Sequence, residues 1–284
     1  MNTIIFLVID TGSDSLLVKL LTAGIVVMLS FCLLLLLTLG RREATVNVLA
    51  KPRTIKHDIS LSLVLPAYNE SDIVQKTIAN CIWSLVRMVN DFEILVVDDG
   101  STDGTAGIVK TITTYESRVK LFCHQENQGY GAALSTGFAK ATKQYTMYMD
   151  SDGQFDIRDL NSMLPLLSSY DGVFGYRVDR QDAWIRKINA WGWNVLVRFV
   201  FRLSIKDVDC AFKILRTDYF REVALESRGA LLSTEIVYKF IRAGYTYTQA
   251  AVHHFPRKAG KSAGASKWAI VQALGELTHF ASIW

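Results

Sequence analysis

Two aspartates one residue apart, Asp150 and Asp152, follow the short apolar run at residues 145–149 (YTMYM). On an extended chain, residues i and i+2 point to one side. The pair therefore offers two carboxylates to a hard divalent cation that shares its remaining positions with phosphate oxygens. Three more polar clusters also follow apolar runs: Pro66-Ala67-Tyr68-Asn69-Glu70, Asp98-Asp99-Gly100-Ser101 and Gln128-Gly129-Tyr130-Gly131. Taken singly, each is ordinary turn chemistry, with Ser71 and Thr102 readable as helix N-caps. Four at successive strand ends converge on one edge of a sheet.

Competing motifs fail by position. An EF-hand loop beginning at Asp150 would need Gly sixth and Glu twelfth, where Phe155 and Asn161 stand; one beginning at Asp99 ends on Lys110. Gly129-x-Gly131 is followed by Leu134 where a dinucleotide fingerprint needs Gly or Ala, and no P-loop sequence occurs. Cys32, Cys81, Cys123 and Cys210 are scattered without a C-x-x-C pair, unlike a zinc site or a disulfide framework. His253 and His254 are adjacent, so on a strand they face opposite ways and would not share a metal.

The elements that must position these residues follow from periodicity. Strands are predicted at 61–67, 93–97, 119–123, 145–149 and 172–176, with helical patterns at 71–88, 103–115 and 131–143 between them. Short strands apolar on both faces, alternating with helices, predict an α/β fold with a mostly parallel sheet covered on both sides. Ligands of such sheets bind beyond the carboxyl ends of the strands, which is where the clusters fall.

The 284 residues carry 31 Lys+Arg against 27 Asp+Glu, a net +4, and 50% are hydrophobic. That composition excludes disorder and low-complexity repeats, and it lacks the dense basic patch that nucleic acid requires. Residues 20–39 form an uncharged apolar run, about 30 Å long as a helix, which predicts an N-terminal transmembrane helix. Arg41, Arg42, Lys51, Arg53 and Lys56 follow it, so the positive-inside rule puts the bulk of the chain on the cytoplasmic side. Before residue 41 the chain holds Lys19 against Asp10 and Asp14, so the remainder is one charge more positive than the whole. Residues 184–203 carry three Trp, three Arg and one Lys among apolar residues, a pattern expected of an interfacial helix. In the C-terminal run, Ile270, Leu274, Leu277, Ala281 and Trp284 fall on one helical face.

The segments SLVLPAYNE, EILVVDDGSTDGT, ENQGYGAALSTGF and YMDSDGQF closely resemble the family 2 glycosyltransferases of GT-A fold, in order and spacing, over about residues 61–155. GVFGYR (172–177), KDVDCAFKILR (206–216) and HHFPRKAGKSAGASKW (253–268) are similar to the polyprenyl-phosphate sugar transferases of the dolichyl-phosphate mannose and glucose synthase type. The resemblance implies a metal-dependent enzyme that moves a hexose, with inversion, from a UDP- or GDP-sugar to a membrane polyprenyl phosphate of undecaprenyl or dolichyl type. It implies that Pro66, Tyr68 and Glu70 line the nucleotide pocket, with Asp98 or Asp99 reading the base. Asp150 and Asp152 would hold Mg²⁺ or Mn²⁺ on the donor diphosphate, helped by Gln154. Arg177 and Arg186 would bind the acceptor phosphate, and Arg257 and Lys267 would close over the phosphates.

The implied organisation is an anchor at 1–40, a linker at 41–58, a GT-A catalytic domain at 59–255, and a basic loop with an amphipathic helix at 256–284. A processive polysaccharide synthase is disfavoured, because Q-x-x-R-W and later transmembrane helices are absent from the sequence. Two alternatives stay open. One is a non-processive transferase acting on a saccharide or lipid-linked glycan, for which Asp207, Asp209 or Glu235 could be the base. The other is a membrane-tethered sugar-nucleotide binder without catalysis.

Overall fold

The run HDISLSLVLPA forms strand β1 (His57–Ala67), and from Leu61 onward every residue is buried, on both faces of the strand. The structure, a computed structural model, describes residues 56–178, 184–227, 229, 231–257, 277 and 280, with the side chains of 184–190 outside that set. The expected anchor at 1–40, most of the linker, Lys267, the Arg186 side chain and nearly all of the C-terminal helix lie outside the described residues. Among the described residues no helix is long and apolar enough to cross a membrane.

Six further strands follow: β2 (Val89–Asp98), β3 (Val119–Cys123), β4 (Tyr145–Met149), β5 (Gly172–Val178), β6 (Phe212–Arg216) and β7 (Tyr247–His253). They form one sheet in the order β3-β2-β1-β4-β6-β5-β7. The β1–β2, β2–β3, β1–β4 and β5–β7 pairs are parallel, while β6 runs antiparallel to both its neighbours, β4 and β5. The five predicted strands are all present, and β6 and β7 add to them. The helices are α1 (Val74–Met88), α2 (Thr105–Thr113), α3 (Tyr130–Lys140), α4 (Leu160–Met163), α5 (Trp184–Phe201), α6 (Thr217–Glu222) and α7 (Leu232–Arg242).

From β1 the chain winds outward through β2 to β3, then returns to place β4 on the other side of β1. A crevice opens at such a switch in winding direction, beyond the carboxyl ends of the strands. Helix α3 lies close against β1, because a Cβ at Gly137 would collide with the Val64 side chain. Helix α1 begins at Val74 rather than Ser71, with Ile73 in the N-cap position and no side-chain cap. Ser71 is instead drawn into the loop network described below.

One buried charge fastens the amino-terminal end of this sheet. Glu93 on β2, only 2% exposed, accepts from Ser62 Oγ at 2.7 Å, Lys120 Nζ at 2.7 Å, and Thr142 N and Oγ1 at 2.8 Å each. Burial opposes the charge, but the bonds from Lys120, Ser62 and Thr142 win and hold the carboxyl down at about 2. A group whose folded value is depressed stabilises above its unfolded value, and that contribution disappears as pH falls through the folded one. The Glu93 contribution should therefore fade between about 4.5 and about 2. We expect Glu93→Gln to cost about 1–3 kcal/mol in denaturant titration at neutral pH and to flatten this acid slope. An unchanged midpoint with an unchanged slope would show the carboxylate to be idle.

Candidate active site

The loops after β1 and β2 are stitched together before any ligand arrives. Asn69, in the left-handed region at φ 55°, donates its N–H to Ser101 Oγ at 2.9 Å and accepts from Thr102 N at 2.9 Å. Glu70 N donates to Thr105 Oγ1 at 2.9 Å, while Asp103 accepts from Ser71 N at 3.0 Å and from Thr105 N and Oγ1 at 3.0 and 2.6 Å. The loop after β3 crosses over Gly100, where a Cβ would stand 2.5 Å from the Glu126 carbonyl carbon and φ is +74°. Only glycine meets both demands.

The two aspartates at the end of β2 divide their work. Asp99 accepts from Gln128 N at 2.9 Å and Gly129 N at 2.8 Å, and its Oδ1 lies 2.7 Å from His124 Nδ1. The other imidazole nitrogen, Nε2, reaches Thr136 Oγ1 on α3 at 2.9 Å. Both Asp99 oxygens are thus committed to holding the loop after β3. Asp98 accepts from Ser101 N at 3.2 Å through Oδ2, whereas its Oδ1 is buried without a hydrogen-bond partner. Tyr68 beside it is exposed; Pro66 is buried in β1, with its carbonyl accepting from Ser151 Oγ at 2.7 Å.

At the end of β4, Asp150 accepts from Tyr130 Oη at 3.0 Å, and Asp152 accepts from Gln154 N at 3.0 Å. Burial first, and then the neighbouring Asp152 charge, push the Asp150 carboxyl up to about 7; burial likewise raises Asp152. Arg257, beyond β7, pairs with Glu70 and lies 3.8 Å from Asp152 through Nε. Glu70 keeps Oε2 buried and unpartnered, and burial raises its pKa despite Arg257. Gln154 ties this turn to the segment bearing Arg257, with Nε2 donating to Phe255 O at 3.0 Å and Phe255 N donating back to Gln154 O at 2.8 Å.

Among the described residues no group of three or more His, Cys, Asp or Glu side chains could hold a metal alone. Two raised carboxylates fit a hard cation that takes only one or two protein ligands and completes its shell with phosphate and water.

The third wall is the 205–211 loop before β6. Arg177, at the end of β5, donates to Asp207 Oδ2 from N at 3.3 Å and Nε at 2.6 Å, and to Oδ1 from Nη2 at 2.8 Å. Its guanidinium, expected to bind the acceptor phosphate, holds the Asp207 carboxylate two-pronged. Beneath the loop, fully buried Lys213 donates from Nζ to Val208 O at 2.8 Å and to Cys210 O. Burial lowers its pKa. From α5, Asn194 Oδ1 accepts from Val208 N at 2.8 Å and Arg198 Nη1 donates to Ile205 O at 3.3 Å.

Of the three candidate bases, Asp207 is closed by Arg177. Glu235 accepts from Glu226 N and Ser227 N at 2.8 and 2.7 Å and pairs with Lys239 at 2.7 Å. It is a structural fastener. Asp209 is half-buried, with a carboxyl pushed up to about 6, chiefly by burial.

The structure therefore brings Glu70, Asp150, Asp152, Gln154 and Arg257 into one cluster and sets Asp98 and Arg177 on the same edge. Asn69, Asp103 and Thr105 were missed as scaffold, although the turn-rich runs YNE and STDGT carried the signal. Lys213 gave no signal, since a lysine on a five-residue strand reads as exposed.

The glycosyl transferase family 2 profile matches residues 62–224, more than half of the chain. The chain belongs to this family and is a glycosyltransferase. It is 26% identical over 245 residues to a dodecaprenyl-phosphate galacturonate synthase of Rhizobium johnstonii, covering 85% of this chain and 71% of that protein. It is 32% identical over 189 residues to a dolichyl-phosphate beta-glucosyltransferase of Trichomonas vaginalis, covering 61% of this chain and 58% of that protein. A solved mannosyltransferase of Pyrobaculum calidifontis, in complex with GDP-Man and Mn²⁺, matches with a TM-score of 0.56 at 17% identity, over 80% of this chain and 65% of that one. The fold is GT-A.

The division between the two β2 aspartates is testable without any substrate. We expect Asp99→Ala to lose about 1–3 kcal/mol, since it removes the buried carboxylate that holds the Gln128 and Gly129 N–H groups and His124. Asp98→Asn should stay within about 1 kcal/mol of wild type. Equal losses in thermal and denaturant melts would contradict the division.

Proposed function

We propose that the protein transfers a sugar from a nucleoside-diphosphate sugar to the phosphate of a membrane polyprenol, with inversion at the sugar carbon. The observation that carries this reading is the meeting of Asp150, Asp152 and Glu70 with Arg257, on the sheet edge that also holds Arg177. It has carboxylates for a metal–diphosphate and guanidiniums for anionic groups. The relatives named as polyprenyl-phosphate sugar enzymes favour the lipid acceptor.

Asp98, with a buried acceptor oxygen to spare, would take an N–H of the base, and Tyr68 would lie along the nucleoside. Asp150 and Asp152 would hold Mg²⁺ or Mn²⁺, with Gln154 fixing the turn. A divalent cation there, when bound, supplies the positive charge that stabilises the departing diphosphate. Arg177, with Arg186, would receive the acceptor phosphate as that phosphate displaces Asp207 from one prong. Arg257 would turn from Glu70 to the phosphates, where Lys267 would join it. A phosphate monoester is already anionic near neutral pH, so attack at the sugar carbon needs no strong base. It needs cations that bring two anions together.

The domain reading is an anchor at 1–40, a linker at 41–58, the catalytic domain at 59–255 and a basic loop with an amphipathic helix at 256–284, with catalysis on the cytoplasmic face. Helix α5 supports membrane seating, because Trp191 and Phe199 stand 43% and 70% exposed on it. Large aromatic side chains of this kind suit a headgroup layer. A second reading, transfer to a saccharide hydroxyl, draws on Asp209. A half-buried carboxyl near 6 suits general-base work at neutral pH.

Membranes containing the protein, given labelled UDP- and GDP-sugars and a polyprenyl phosphate, should yield a charged glycolipid extractable into organic solvent. Label confined to a water-soluble glycan would select the second reading. Asp152→Asn should lose at least about 100-fold in rate, about 2.7 kcal/mol of transition-state stabilisation, with an unchanged melt. Near-normal turnover in that variant would remove the metal assignment.

A further inference from the structure

Lys213 stands where the sheet calls for an apolar residue. It is fully buried between Phe212 and Ile214 on β6, and its cross-strand partners are Tyr148 and Phe174. An amine at that depth is costly unless its donors are placed. Nζ donates to Val208 O at 2.8 Å and to Cys210 O, and it lies 5.5 Å from the centre of the Tyr148 ring. A methionine of similar length would fill the same space without that cost. What it could not do is hold two carbonyls of the 205–211 loop.

That loop aims Arg177. Asp207 takes the guanidinium from Nε at 2.6 Å and Nη2 at 2.8 Å. Cys210 N closes the turn on Asp207 O at 3.5 Å. From α5, Asn194, only 7% exposed, accepts from Val208 N at 2.8 Å. Val208 is thus held at its N–H by Asn194 and at its carbonyl by Lys213, one residue beyond Asp207. We propose that Lys213 and Asn194 are positioning residues for sugar transfer: by fixing Val208 they fix Asp207, and through it the direction of Arg177. The role rests on the proposed placement of Arg177 on the acceptor side. A defect on that side alone follows, because Asp98, Asp150 and Asp152 lie on turns with fastenings of their own.

The test is steady-state transfer by the full chain in phosphatidylcholine nanodiscs, with a polyprenyl phosphate and the nucleotide sugar that the wild type uses. In Lys213→Met, kcat/KM for the polyprenyl phosphate should fall at least about 10-fold, while KM for the nucleotide sugar and calorimetric binding of its nucleoside diphosphate with Mn²⁺ stay within about 3-fold. Hydrogen exchange should quicken at least about 10-fold across residues 205–211 and stay unchanged across 126–130, the loop held by Asp99. Asn194→Leu should give the same pattern, and it supplies the answer if Lys213→Met does not fold. Donor and acceptor constants falling together would make both residues structural only and overturn the proposal. So would a loosened loop with full transfer to the phosphate, or unchanged exchange across 205–211. A wild-type protein that transfers nothing to the phosphate would instead count against the transferase reading, and the exchange result would then decide alone whether Lys213 and Asn194 hold the loop.

Discussion

Two carboxylates on one tight turn repel each other, and everything around Asp150 and Asp152 manages that repulsion. Burial at the switch between β1 and β4 makes the charges costlier still, which is why both carboxyls are raised. The protein supplies partial relief through Tyr130 Oη on Asp150 and the Gln154 N–H on Asp152. The remainder is what the proposed cation would offset. A site balanced this way should bind a divalent metal best when the metal arrives with phosphate oxygens to fill its other positions.

The guanidiniums proposed to bind anionic substrates are themselves parked on carboxylates. Arg177 is held by Asp207, and Arg257 by Glu70. Each pairing avoids an isolated buried guanidinium and presets its direction, so under the proposed function an arriving phosphate would exchange partners and would not have to order a loose side chain. The 205–211 loop is gripped from two sides, by Lys213 below and by Asn194 and Arg198 of α5. The helix carrying the exposed aromatic residues is thereby bonded directly to the loop that carries Asp207 and Asp209. Membrane seating of that helix, as proposed, would therefore bear on where those carboxylates lie.

The amino-terminal half was legible because its signals are local. Runs such as LSLVLPA and EILVV are apolar on both faces, and each ends in a polar cluster that the parallel topology brings to one edge. The carboxyl-terminal half was less so. β6 enters antiparallel between β4 and β5, and β7 pairs with β5 along a half-exposed edge; neither registers as a strong periodic pattern. The side-chain pairings were hidden for a related reason. Arg257 meets Glu70 across 187 positions and Arg177 meets Asp207 across 30, distances at which spacing carries no information. Residue types therefore marked the participants, while tertiary packing decided their partners. It sent Asp99 to the loop after β3, left Asp98 with an oxygen to spare, and turned Glu235 into a fastener.

The central claim is that the paired carboxylates bind a divalent cation together with a nucleoside diphosphate. Calorimetry of UDP and GDP binding, with Mn²⁺ and then with chelator, measures this directly. The account predicts binding that requires the metal and is lost in Asp150→Asn and Asp152→Asn while the fold stays intact. Nucleotide binding of equal strength with and without the cation, or retained in both variants, would contradict it.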